Sequence, residues 1–145
     1  MQPPLISSTA LMDLEFDLRP SPLITGTALA TGGEDGQVKI WSRNGMLRSS
    51  LTQCESPVYC VVWGWDSDQI CFCSGSSVTI RSCQSSQRQV TWKAHEGVVL
   101  KVDWSPINHM VVTGGEDCKY KVWGMCVSVC ACGGKGSGTD VKVEV

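Results

Sequence analysis

Two stretches decide the fold: TGGEDGQVKIW, residues Thr31 to Trp41, and TGGEDCKYKVW, residues Thr113 to Trp123. They agree at seven of eleven positions, β-branched Ile40 is matched by β-branched Val122, and they lie 82 residues apart. Half of that interval is 41, and a second pair sits at that spacing. VYCVVWGWDSD, Val58 to Asp68, precedes VLKVDWSPINH, Val99 to His109, with Trp63 and Trp104 in register. One structural unit is therefore written out more than once, at an interval of 41 residues.

That interval is longer than the roughly 33–34 residues of ankyrin and tetratricopeptide repeats and falls within the roughly 40–45 of a four-stranded propeller blade. The local pattern agrees. Val38 to Trp41, Val58 to Trp63, Val99 to Trp104 and Tyr120 to Trp123 are short alternating runs rich in β-branched and aromatic residues, as half-buried strands require. Gly33 to Gly36 and Gly115 to Cys118 carry tight-turn chemistry, and Ser67-Asp68 and Ser105 to Asn108 mark further hairpins. No helical period is sustained. The expected fold is all-β, a partial WD40-type β-propeller of about three four-stranded blades in an open ring.

The blades are expected at residues 26–53, 54–93 and 94–124. The first strand of the first blade is not recognisable. In the N-terminal segment, residues 1–25, four prolines stand where a blade would place a Trp near Pro22, so a poorly ordered or partial strand is expected there. Residues 125–145 form a low-complexity tail beginning where the Asp of a Trp-Asp pair is due. Back-translated, Trp123-Gly-Met-Cys-Val127 fits a splice donor, which suggests intron read-through and a truncated product. Val127 to Ala131 alternates suitably to supply the missing fourth strand. Propellers close with roughly four to eight blades. Three leave strand edges and an apolar flank open, so self-association or complementation by another chain is expected.

The chain has 145 residues, 42% apolar and 18% charged, enough to bury a core. Its net charge of −2 leaves no basic footprint for nucleic acid. Apolar stretches such as Pro57 to Trp65 are too short to insert in a membrane as a helix, and the N-terminus lacks the positive residues of a secretory signal. Nine cysteines contain no C-x-x-C, so neither a metal site nor a cofactor is expected. Several, as in Ile70-Cys71-Phe72-Cys73, alternate with apolar residues as small hydrophobes do. Free thiols suit a reducing, intracellular compartment.

These repeats resemble the WD-repeat family. In that family a His, an Asp, a Ser or Thr and a Trp of one blade join in a buried hydrogen-bond network. The resemblance puts His95, Asp117, Thr113 and Trp123 at those positions, and Thr31, Asp35 and Trp41 at the matching positions of the first blade. Cys54 stands 41 residues before His95, and Arg81 stands where the second blade should have Trp. Ser42 and Gly124 follow the two repeat tryptophans in place of Asp. The Thr, His and Asp set could be mistaken for a catalytic triad, yet the repeat explains their spacing without chemistry. Gly133 to Ser137 is no phosphate loop, because Val129 and Gly136 occupy positions that need Gly and Ser or Thr. No catalytic residue is expected, and a role as an enzyme is set aside.

ATGGEDGQVKIWSRNGMLRSSL, Ala30 to Leu51, and WKAHEGVVLKVDW with GGEDCKYKVW, Trp92 to Trp123, are more specific than generic WD text. They resemble the WD-repeat subunits of intraflagellar transport complex B. The resemblance implies a non-enzymatic scaffold in cilium assembly that binds other intraflagellar transport complex subunits in the cilium and at the ciliary base in the cytoplasm. A generic WD-repeat adaptor, as in ubiquitin ligation or signalling, remains the alternative. Trp65, out of register with Trp63, is the best single candidate for a partner contact, with an ordinary core position as the competing reading.

Overall fold

The computed structural model describes residues 11–16, 28–64, 68–84, 89–125 and 141–144. Three antiparallel four-stranded sheets follow one another along the chain. The first comprises β1 (Leu11–Phe16), β2 (Ala28–Gly33), β3 (Gln37–Ser42) and β4 (Leu47–Gln53), hydrogen-bonded in that order. The second comprises β5 (Val58–Trp63), β6 (Gln69–Ser74), β7 (Ser77–Ser82) and β8 (Gln89–Lys93). The third comprises β9 (Val99–Trp104), β10 (Met110–Gly115), β11 (Tyr120–Met125) and β12 (Val141–Glu144). Among the described residues there is no helix, and no closed barrel forms. The architecture is a partial propeller.

Two strands lie outside the expected blades of residues 26–124. The first sheet has a complete set, because Leu11–Phe16 pairs with β2 through Leu14↔Thr31 and Phe16↔Leu29. Prolines flank that strand on both sides without entering it, so its ladder donors are intact. The fourth strand of the third sheet is Val141–Glu144, paired with β11 through Trp123↔Val143. Val127 to Ala131, the segment expected to fill that place, lies outside the described residues, as do the Trp65 side chain and most of residues 1–25.

Sequence pattern and position agree most closely in the middle sheet. Gln-Ile-Cys-Phe-Cys-Ser of β6 is apolar on both faces, and Ile70, Cys71, Phe72 and Cys73 are all buried. A strand packed between two layers has no solvent face on which polar residues would be favoured. Ile70 and Phe72 face the first sheet, with Ala30, Val38, Ile40, Val58, Val61 and Trp63. Cys71 and Cys73 face the third, with Val99, Val102, Trp104, Val111 and Trp123. Burying a side chain the size of Phe72 or Ile70 contributes about 1.5–3 kcal/mol, so these two interlayer cores hold the stack together.

The repeated TGGED turns share one geometry. Gly36 has φ +75°, and Cys118, at the matching position, has φ +62°. The Gly36 amide donates to the Gly33 carbonyl at 3.0 Å, and the Cys118 amide donates to that of Gly115 at 3.2 Å. Each Asp carboxylate then accepts from the amide two residues on: Gln37 at 3.0 Å for Asp35, Lys119 at 3.1 Å for Asp117. The sequence copies a turn because the turn needs a left-handed residue and an Asp beside it.

Candidate functional site

The candidate site is the polar network inside the third sheet. Its members come from three elements: His95 from the loop entering β9, Thr113 from β10, and Asp117 and Trp123 from the β10–β11 hairpin. The Trp123 indole Nε1 donates to Thr113 Oγ1 at 3.0 Å. Thr113 Oγ1 meets His95 Nε2 at 2.8 Å, and His95 Nδ1 meets Asp117 Oδ1 at 2.9 Å. An indole can only donate and a carboxylate only accepts. With Nδ1 protonated, every bond then runs one way, from Trp123 through Thr113 and His95 to Asp117.

The network is closed to solvent except at its acidic end. Thr113 and His95 are each 1% exposed, whereas the Asp117 side chain keeps 13%. Asp117 also accepts from the amides of Lys119 at 3.1 Å and Glu96 at 3.3 Å. Partial burial alone would raise its carboxyl pKa, but the His95 hydrogen bond and these two amides hold it below the ordinary 3.8. The carboxylate ties the loop of Glu96 to the turn of Lys119. That loop is fastened at further points: the Glu116 amide donates to the Val98 carbonyl at 2.9 Å, and Lys121 Nζ donates to that of Ala94 at 2.7 Å.

Sequence reasoning gave Gly115 and Glu116 a turn role only and passed over Lys121. A Cβ on Gly115 would stand 2.7 Å from His95 Cγ and 2.8 Å from Nδ1, so the imidazole occupies the space that any other residue would fill. At Gly33, its counterpart, a Cβ would meet Asp35 Oδ1 at 2.6 Å. The signal was present, since the second glycine of TGGED recurs in both copies.

The other two sheets hold less of the set. In the first, Trp41 Nε1 donates to Thr31 Oγ1 at 2.8 Å, while the Asp35 carboxylate accepts from its own turn at Gln37 and the Asp35 carbonyl from Gln53 Nε2. Cys54 leads into β5 and so belongs to the second sheet; the residue 82 before His95 is Asp13, in β1. In the second sheet Phe72, paired with Val61, takes the place that Thr113 holds opposite Val102. An apolar core replaces the network there. Its neighbour reaches across instead: Trp92 of β8 packs edge-on against Trp123, ring centroids 5.6 Å apart and planes at 61°.

Chemically, the arrangement can hold turns and cannot present a nucleophile. The Thr113 hydroxyl that a triad would use is 1% exposed and already accepts the Trp123 N–H. Among the described residues no cluster of His, Cys, Asp and Glu could hold a metal ion.

Comparison with known proteins places these features. The model of the WD domain, G-beta repeat, matches residues 21–42 and 86–124. The intraflagellar transport protein 80 homolog of Mus musculus is 54% identical over 98 residues, 68% of this chain and 13% of the relative. Its Rattus norvegicus counterpart matches to the same extent. The F-box-like/WD repeat-containing protein TBL1X of Macaca fascicularis is 30% identical over 109 residues, 74% of this chain and 18% of that protein. The chain thus spans about an eighth of the length of the curated intraflagellar transport relatives it matches, 13% in each case.

Proposed function

We propose that this chain of WD repeats is a non-catalytic protein-binding scaffold of the intraflagellar transport kind, acting in cilium assembly through contacts with other subunits of that complex. The observation that carries the reading is the 54% identity over 98 residues with the intraflagellar transport protein 80 homologs, against 30% for the F-box-like WD relative. On this reading, Thr31, Asp35, Trp41, His95, Thr113, Asp117 and Trp123 are structural: they fix the turns from which rim loops are presented. Buried polar groups that are fully paired rigidify a sheet edge, and rigid edges suit the display of binding loops. The place of action is the cilium and the cytoplasm at its base.

The test is affinity purification of the tagged chain from ciliated cells, with quantitative mass spectrometry. Enrichment of intraflagellar transport subunits over an unrelated WD control is expected. Enrichment of ubiquitin-ligase or signalling subunits in their place would favour the generic adaptor and overturn the proposal.

A further inference from the structure

The face that the second sheet turns toward the third carries three cysteines. Cys60, Cys71 and Cys73 are buried in one interlayer core, all three remain thiols, and none belongs to the network of Trp123, Thr113, His95 and Asp117. Cys60 and Cys73 are register partners across the β5–β6 ladder, so their side chains leave the sheet side by side on the same face. Directly opposed residues of an antiparallel pair have Cβ atoms about 4.5–5.5 Å apart, and a disulfide needs about 3.5–4.5 Å. An approach on the order of 1 Å therefore joins the pair. The Cys73 thiol already turns toward its partner strand, donating to the Cys60 carbonyl at 3.8 Å.

The thiols differ in their surroundings. That of Cys60 spans two layers, donating to the Val102 carbonyl of β9 at 3.3 Å. Lys101, an exposed residue at the border of this core, brings its ammonium to 4.0 Å from the same sulfur. A cation there favours the thiolate, which is the form that attacks an oxidant. Cys71 has the opposite setting: burial, reinforced by the neighbouring sulfurs of Cys73 and Cys60, pushes its thiol well above the usual range.

We propose that Cys60 and Cys73 form a reversible disulfide under peroxide, and that the bridge loosens the seating of the third sheet on the second. The Cys60 thiolate attacks one peroxide oxygen, the O–O bond breaks, and the departing hydroxide takes up the proton that Cys60 released, leaving a sulfenic acid and water. The Cys73 sulfur then attacks the Cys60 sulfur, forming the S–S bond, and its own proton leaves with the displaced hydroxide as a second water. Two thiols and one hydrogen peroxide thus give one disulfide and two waters. Loss of the Cys60 hydrogen ends the donation to the Val102 carbonyl, which is a hydrogen bond between the layers. A bridge drawn together across a ladder is strained and easily reduced, which suits a switch and not a permanent staple. The proposal stands independently of the transport reading, because it rests on strand pairing and thiol contacts alone.

The test treats the 145-residue chain with hydrogen peroxide, alkylates its remaining thiols in denaturant and digests it with chymotrypsin. Cleavage after Trp63 and Phe72 puts Cys60, Cys71 and Cys73 on different peptides. The expected product is a linked pair holding Cys60 and Cys73, two hydrogens lighter than the sum of the reduced peptides and absent after dithiothreitol. Hydrogen exchange at the amides of β9 should rise by roughly fivefold on oxidation, the equivalent of one lost hydrogen bond, and return on reduction. Cys73→Ala should leave Cys60 as a sulfenic acid that a 1,3-diketone traps; if that variant fails to fold, the wild-type peptide map still decides. Recovery of Cys60 and Cys73 as alkylated thiols once the exposed Cys118 is fully oxidised would overturn the proposal. So would a bridge to Cys71 in place of this pair, or exchange in β9 that the bridge leaves unchanged.

Discussion

Replacing Thr113 by valine keeps the shape of the side chain and removes only its hydroxyl. Two buried groups then lose their partner: Trp123 Nε1, in a residue 4% exposed, and His95 Nε2, in a residue 1% exposed. Each unsatisfied buried group costs about 1–3 kcal/mol, so Thr113→Val should destabilise by about 3 kcal/mol. In a domain of this size that lowers the melting temperature by on the order of 15 °C. Thr31→Val is the internal control, made at the same strand position 82 residues earlier. It severs a single bond, from a Trp41 that is partly open to water, and should cost about 1 kcal/mol. Urea unfolding followed by tryptophan fluorescence gives both values, with the slope expected to stay constant. Equal losses for the two variants, or a loss under about 1 kcal/mol for Thr113→Val, would refute the claim that the His95 network stabilises the third sheet beyond its turn.

Acid should loosen the same network. The Asp117 carboxyl is held below its ordinary 3.8, so its contribution is fully present above that value and is lost as pH falls through the lower, folded value. Urea midpoints measured across acidic pH should therefore drop more steeply for wild type than for Asp117→Asn; parallel curves would contradict the assignment. Gly115→Ala should cost about 1–3 kcal/mol by displacing the His95 ring. Gly114→Ala, where a Cβ meets nothing within 4 Å, should stay within about 0.5 kcal/mol of wild type in the same melts. Cys118→Gly relieves a left-handed residue at φ +62° and should stabilise by about 0.5–1 kcal/mol, read as a raised melting temperature.

Much of the stack was legible from the repeat. A copied eleven-residue segment carries with it a hairpin, its left-handed position and the Asp that caps it, so β2, β3, β10 and β11 could be placed before any coordinates. The strands read less well were those whose residues follow no repeat. Leu11–Phe16 shares no identity with Val58–Trp63 or Val99–Trp104, only the spacing of its apolar positions, and pairing with β2 is what reveals it. Val141–Glu144 is four residues long and lies well beyond the end of β11, so only the ladder to Trp123 and Val122 distinguishes it from Val127 to Ala131.

For the site, amino-acid types at a repeated interval determined which residues belong to one family of positions: Thr31 with Thr113, Asp35 with Asp117, Trp41 with Trp123. Whether those residues join was decided in three dimensions. His95 lies in the loop that the third sheet folds back over its own hairpin, so Thr113 and Asp117 both reach its ring, while Cys54 enters a different sheet from Thr31 and Asp35. Sequence spacing fixes which positions are equivalent because the repeat sets the chain's path. Hydrogen bonds between loop and strand depend on which sheet each loop closes, and that is a property of the packed stack.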